Sequence, residues 1–503
     1  AIFTTAGGGG GGGSGGGFIQ DAIPAGSEVD TVGVVLKSTP FYAEAGGQAP
    51  DSGTITVTLP VASPSGTTAV VVLTVLDVQV YGGYVLHTCV AEDTAAASLV
   101  GLQPGLSVTA QVDYPQRRKV APNHTMTHVL NFALRKVLND NVDQKGSSVT
   151  EDKLRFDFSL NRGVKIDELE AVENAVNDII KEELEVSSQV VPLADATAIN
   201  GLRAVFGEVY PDPVRVISVG PQVSEMVSNP EEEGWMGYSV EFCGGTHIQN
   251  TREAEAFVIL EETAVAKGIR RISGVTGEQA KEAIEVATLL EKDVQELKSS
   301  LQQPSTANIA ELESTATNLR QSLDAAAASQ VTKTRLRGSL EGIQKEIVGL
   351  KNKELMKMAD EEIKKVVEEV NLTTAAGKST SVITLAVGSD AKAVKRVIES
   401  IKSAAPTLSF LCISSDPSAS SSSSSVQAPA AVGKLTVFAV VTEEAQAKGL
   451  KANEWVSTTL KAAGGRGGGK PGQAQGSVAA TTTEVAQTLL HEANQYMSTN
   501  AAV

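Results

Sequence analysis

The chain has 503 residues, 42% of them hydrophobic and 20% charged, with a formal net charge of −17. This composition excludes a wholly disordered chain and a uniformly basic nucleic-acid coat, and the length suits about three domains. No run of about 18 apolar residues reads as a transmembrane helix, so no membrane contact is expected. Three cysteines exclude a disulfide scaffold and point to a reducing compartment. Ala1 rather than Met opens the chain and no signal peptide can be read, so a truncated chain is expected.

Residues 1–17 are mostly glycine and predict a flexible tail. From Phe18 to residue 114, short β-branched runs separated by Gly, Pro, Ser and Asp predict a small β-barrel or sandwich. The pattern changes at Pro115. Val129, Phe132, Ala133, Val137 and Leu138 fall at helical spacing, with Asn123 ahead of them as an N-cap. Strands and helices then mix to residue 277.

Over 278–370 apolar residues step by three or four between charges, as in Ile284, Ala287, Leu290, Val294, Leu297 and Leu301. This predicts a long helical arm with a coiled-coil-like seam, broken at Pro304. Residues 371–503 predict a final α/β domain, with the serine run Ser420–Ser425 inside a disordered insertion near 414–430. That last stretch holds 11 Lys and Arg against 8 Asp and Glu, so it carries +3 and leaves −20 on the rest. An anion would dock there in preference.

The chain has only five histidines. His124 and His128, four apart on the expected helix, leave one face a turn apart. Cys243 and His247 are also four apart, and Gly244 and Gly245 let that segment turn tightly. Two imidazoles, a thiolate and a third imidazole make a tetrahedral zinc set. Either half alone is a weak signal that surface residues often mimic. A metalloprotease is excluded, because Thr125 stands where the general-base Glu would be. A closed structural zinc stays open as a reading.

Two glycine-rich stretches stand apart. Gly46 and Gly47 before Gln48 form a loop that a ligand could approach, or simply the end of a strand. Residues 464–477, with Arg466 and Lys470, could cradle phosphate through backbone N–H groups. They lack the spacing of an ATP loop, and a linker explains them equally well.

The segments "TPFYAEAGGQAPDSG", "NHTMTHVLNFAL", "YSVEFCGGTHIQNT", "KGIRRISGVTGE" and "GGRGGGKPGQAQG" stand in the order found in alanyl-tRNA synthetases. The chain resembles the eukaryotic-type family from about Phe18 onward. The resemblance implies an editing domain (18–114 as β-barrel, 115–277 as zinc-bearing α/β subdomain), a helical spacer (278–370) and a C-terminal tRNA-binding domain (371–503). The fold class expected is therefore multi-domain α+β. The resemblance implies one Zn2+ held by His124, His128, Cys243 and His247. Gln144 and Gln48 would line the editing pocket, with Thr125 and Thr127 sorting side chains and Arg466 and Lys470 facing tRNA.

No class II catalytic sequence is recognised before Phe18, so the aminoacylation core, and ATP with it, are expected to be absent. The expected activity is hydrolysis of Ser-tRNA(Ala) and Gly-tRNA(Ala). The alternatives are a stand-alone trans-editing protein and a non-catalytic tRNA-binding or dimerisation fragment. The expected partners are tRNA(Ala) and a second copy through the arm or the last domain. The expected location is the cytoplasm, a mitochondrial or plastid copy staying open.

Overall fold

The computed structural model describes residues 2–5, 17–19, 23, 31–59, 70–91, 99, 101–138, 142–204, 208–302, 309–388, 390–415, 433–479 and 483–500. The glycine run Gly7–Gly13 and the serine run Ser420–Ser425 lie outside them. The chain divides into two compact units, Ala1–Glu296 with Thr317–Leu340, and Leu297–Ala316 with Glu341–Val503.

The first unit opens with seven strands, β1 (Ile2–Thr5), β2 (Gly17–Ile19), β3 (Thr31–Val35), β4 (Gly53–Thr58), β5 (Val70–Tyr81), β6 (Tyr84–Ala91) and β7 (Val108–Val112). They form one antiparallel sheet in the order β2-β1-β3-β6-β5-β4-β7. The expected barrel is not formed: β2 and β7 sit at opposite ends of that order and share no ladder, so no sheet closes on itself among the described residues. Alternation decides which side of each strand is buried. Ile55 and Val57, Leu73 and Val75, and Val32 and Val34 all enter one apolar cluster.

Helix α1 (Tyr114–Leu138) follows at once. It starts well before Asn123 and runs through Pro122, so Asn123 is not its N-cap. Its amide instead donates to the Thr150 carbonyl at 3.0 Å and accepts from the Thr276 hydroxyl at 2.8 Å. A proline inside a helix removes a hydrogen bond. Here burial of every residue from Val120 to Asn131 offsets that loss.

Around α1 lie β8 (Gln144–Val149), β9 (Leu154–Ser159), α2 (Ile166–Lys181), β10 (Val186–Val191), α3 (Leu193–Thr197), β11 (Val214–Val219), α4 (Val223–Ser228), β12 (Ser239–Phe242), β13 (Phe257–Ala266) and β14 (Ile269–Thr276). They make a four-stranded sheet, β13-β14-β9-β8, and a three-stranded one, β10-β11-β12. In α2, Leu169, Val172, Val176 and Ile180 recur every three or four residues and are buried in the same cluster as α1. Glu168 accepts the Lys165 N–H at 2.9 Å and closes that helix's first turn.

The helices that follow are α5 (Gly277–Ser300), α6 (Ile309–Ala325) and α7 (Gln330–Ala375). They do not make a separate coiled-coil arm. Their residues are shared between the two units. The reason is that their apolar positions seal different cores: Val331 joins the α1–α2 cluster, while Ala359, Val366 and Val370 join a cluster of the second unit.

The second unit continues with β15 (Thr380–Leu385), α8 (Ala391–Ala404), β16 (Ser409–Ser414), β17 (Lys434–Val440), α9 (Glu443–Ala447), α10 (Ala452–Lys461), β18 (Arg466–Lys470), β19 (Gln473–Ala479) and α11 (Thr483–Asn500). Its sheet runs β15-β16-β17-β19-β18, with only the first pair parallel. Asp390 caps α8 by accepting the N–H groups of Lys392 and Ala393. Among the described residues no helix is long and apolar enough to cross a membrane.

Candidate metal centre

His124 and His128 leave the buried middle of α1, one turn apart. Cys243 and His247 lie in the turn that follows β12. The structure brings the four together, with their ligating atoms all within 4.8 Å of one another. Nε2 of His124 and Nε2 of His247 each lie 3.3 Å from the Cys243 sulfur. The His124 ring stacks on His128 at a centroid distance of 5.2 Å and lies 4.6 Å from His247. Nε2 of His128 is buried without a hydrogen-bond partner. A buried polar atom of that kind is costly unless something fills the gap. Three imidazole nitrogens and one sulfur fit a borderline-soft, tetrahedral cation.

The charges suit that role. Burial raises the Cys243 thiol, but His128 and then the other two imidazoles outweigh it and hold it well below the ordinary thiol range. Burial pushes His247 down to about 3. Burial opposes charge on His128 too, yet Glu241 and Cys243 raise it well above the ordinary imidazole range. A metal entering the centre therefore displaces a proton.

The two motif halves meet because the turn is thin. Gly245 faces the His124 ring and donates its N–H to the Cys243 sulfur at 3.3 Å. Arg215 of β11 holds the turn from behind, donating to the carbonyls of Gly245 at 2.5 Å and Cys243 at 3.3 Å.

Of the other residues expected at the site, Gln48 and Thr125 reach it. Gln48 is 1% exposed, and its carbonyl oxygen lies 2.5 Å from Nδ1 of His124. Its loop is strapped to the edge of β8, with Ala49 N–H to Val149 O at 2.9 Å and Val149 N–H to Gly47 O at 2.8 Å. Gly47 has φ +84°, and a Cβ there would lie 2.1 Å from the Ser147 carbonyl oxygen, so glycine is required. Thr125 contacts Nδ1 of His247 at 3.1 Å. Thr127 turns back to the Asn123 carbonyl at 2.8 Å, and the Gln144 amide donates to the Ser147 hydroxyl at 3.4 Å. Neither makes a hydrogen bond to the four-residue cluster.

Glu241, Asn131, Arg215 and Thr246 were not anticipated. Glu241 bonds Nδ1 of His128 and accepts from the Asn131 amide at 2.7 Å. Its signal was its nearness: it stands in β12, two residues before Cys243 and the turn that carries it. Arg466 and Lys470 lie at the two ends of β18, an exposed edge strand rather than a loop. Two of the three glycines between them serve packing: a Cβ on Gly467 would meet Val456 of α10 at 2.6 Å, and one on Gly469 would meet the Ala474 backbone at 2.6 Å.

Residues 214–273 match the Threonyl and Alanyl tRNA synthetase second additional domain, residues 20–116 match tRNA synthetases class II (A), and residues 349–499 match the DHHA1 domain. The chain is 35% identical to the cytoplasmic alanine–tRNA ligase of Dictyostelium discoideum over 457 residues, 91% of this chain and 45% of that protein. It is 38% identical to the alanine–tRNA ligase of Candida albicans over 448 residues, 88% of this chain and 42% of that one. It is 46% identical to the mitochondrial alanine–tRNA ligase of Saccharomyces cerevisiae over 262 residues, 52% of this chain and 25% of that one. The chain thus spans less than half the length of the curated relatives it matches.

The class II match overturns one expectation. A portion devoid of aminoacylation-core sequence was expected because none was recognised before Phe18, but the matched segment is the strand-rich stretch itself. The view of a C-terminal portion that depends on a missing catalytic domain, ATP included, falls with it.

Proposed function

We propose that the chain works in tRNA aminoacylation and proofreading as an enzyme of the alanine–tRNA ligase kind, and that its His/Cys centre binds zinc and hydrolyses the ester of a wrongly charged tRNA. The observation that carries this reading is the convergence of four ligating atoms, one from each of His124, His128, Cys243 and His247, with Nε2 of His128 buried and partnerless. The matched second additional domain, which includes Cys243 and His247, supports it. His124, His128, Cys243 and His247 would hold the zinc, which would supply charge stabilisation at an ester carbonyl and orient the reacting groups.

A second hydrolytic site answers a physical problem. A pocket built for a small side chain rejects one that merely adds a hydroxyl only weakly, so seryl-tRNA is a predictable error. In the hydrolysis, water oxygen bonds to the ester carbonyl carbon and the bond to the ribose oxygen breaks. The ribose oxygen leaves with a proton, freeing the amino acid and intact tRNA. Gln144, half-buried beside the strapped Gly-Gly-Gln loop, is assigned to the substrate side chain. Thr127 is given no part in it, since its hydroxyl is spent on its own helix. Arg466 and Lys470, exposed on β18, would meet tRNA phosphates. The name of the Dictyostelium relative favours a cytoplasmic location.

The test is serine release from labelled seryl-tRNA(Ala) by the zinc-loaded chain, with alanyl-tRNA(Ala) as the spared control. Cys243→Ala is expected to lower the rate about 100-fold or more, the scale of losing a group that acts in the transition state. Zinc binding without serine release would leave a closed structural centre and end the hydrolytic reading.

A further inference from the structure

We infer that Gln48, Thr125 and Glu241 are positioning residues that fix the tautomer of the three imidazoles, so that every Nε2 faces the metal position. The inference rests on the zinc reading above but not on hydrolysis. Each imidazole meets a different side chain at Nδ1, and in each case the hydrogen bonding leaves one assignment.

Gln48 is oriented by Thr246. Its amide nitrogen donates to the Thr246 hydroxyl at 2.9 Å, and its carbonyl oxygen accepts the Thr246 N–H at 2.9 Å. The oxygen therefore faces His124, and Nδ1 of His124 must carry the proton. Thr125 has one hydroxyl proton, given to the Ala121 carbonyl at 3.0 Å. Toward His247 it can only accept, so Nδ1 of His247 is protonated as well. Glu241 presents one carboxylate oxygen to His128 and the other to Asn131, so it too accepts.

Once the extra proton held on His128 has left, three Nδ1–H groups leave three Nε2 lone pairs pointing at one place beside a thiolate. That arrangement is repulsive without a cation and complete with one. Gln48 does more than hold a ring. It joins the Gly-Gly-Gln loop, the α1 histidine and the Cys243–His247 turn through Thr246, three segments far apart in the chain. The loop's contribution is thus to assemble the centre rather than to touch substrate.

The experiment uses the full chain loaded with Zn2+ and labelled with 15N at histidine. The imidazole nitrogen shifts of His124, His128 and His247 are expected to show Nδ1 protonated and Nε2 metal-bound. Coordination of any one through Nδ1 overturns the inference. In chelator competition for Zn2+, Gln48→Leu and Glu241→Leu are each expected to weaken binding about 10–100-fold. Glu241→Gln, which keeps an acceptor oxygen, is expected to fall between Glu241→Leu and the native chain. Native affinity in both leucine variants overturns the inference while leaving serine release untouched. A chain that binds no Zn2+ at all overturns the zinc reading and this one together.

Discussion

A methyl group on Gly245 would stand 2.1 Å from Cε1 and 2.4 Å from Nδ1 of His124. No side chain fits there, because the other neighbour is the Gln48 oxygen at 2.9 Å. The Cys243–His247 turn meets the helix-borne histidines only because this position has no Cβ. Gly245→Ala is therefore expected to weaken Zn2+ binding by about 10–100-fold, the scale of disturbing the support behind a ligand. Gly244→Ala, with nothing within 4 Å of its added carbon, is the matched control and should bind almost normally. Chelator competition on the two variants checks this. Equal affinities would mean that the turn can back away from His124.

His87 predicts an acid-sensitive stability. It is fully buried in the seven-stranded sheet, with Nδ1 bonded to the Val34 carbonyl at 2.8 Å and Nε2 to the Thr39 hydroxyl at 2.7 Å. The neutral ring satisfies both partners, and burial lowers its pKa below the ordinary 6.5. Between that lowered value and the unfolded value, the unfolded chain binds more protons. The contribution is thus complete above the unfolded pKa and is lost as pH falls. The slope is at most about 1.4 kcal/mol per pH unit. Urea midpoints of the Zn2+-loaded chain should fall between pH 7 and 5, and should fall less steeply in His87→Gln. Parallel slopes would count against a neutral buried ring.

Glu173 behaves in the opposite sense. This carboxyl on α2 accepts from Ile259 N–H at 2.6 Å and from the Ser329 hydroxyl at 3.1 Å. Burial raises its pKa despite those bonds. Its folded value lies above the unfolded one, so its contribution is present at low pH and is lost as pH rises through the folded value. Glu173→Gln keeps an acceptor and carries no charge. Its stability relative to the native chain should therefore improve from pH 4 to pH 7, read by denaturant midpoints at both. No change in the difference would refute the burial argument.

How much of this was legible depended on the distance over which residues cooperate. The His124/His128 pair and the Cys243/His247 pair each lie within five residues, so spacing alone made them visible. That they meet at one point could only be argued from the donor set and the resemblance. Glu241 stands only two residues before Cys243 and could have been found from that nearness. Gln48 could not be assigned as a partner of His124, because the link is made through Thr246 and a strap to β8. The barrel failed for a related reason: runs of Val, Ile and Thr predict strands, but closure depends on which edges pair, and β2 and β7 never do among the described residues. Asn123 misled because a polar residue beside Pro122 looks like a helix start, whereas its amide serves tertiary contacts inside a longer helix.

The glycine-rich stretch of the second unit gives a prediction that separates packing from nucleic-acid contact. Helix α10 lies directly on the β18–β19 hairpin, where Gly467 and Gly476 pair across the ladder. A Cβ on Gly476 would lie 2.3 Å from Leu460 Cδ1 and 2.5 Å from the Gly467 Cα. One of those neighbours is backbone and cannot step aside. Gly476→Ala should therefore cost about 1–3 kcal/mol through overpacking, read as a lowered melting transition by calorimetry. Gly468→Ala meets nothing within 4 Å and should leave the transition in place. Arg466→Ala and Lys470→Ala remove exposed side chains, so they should not move the transition. If they contact phosphate, each lowers tRNA affinity and reduces its salt dependence, because fewer counterions are released. A melting transition that falls with the two charge variants but not with Gly476→Ala would reverse the assignment of packing to the glycines and binding to the cations.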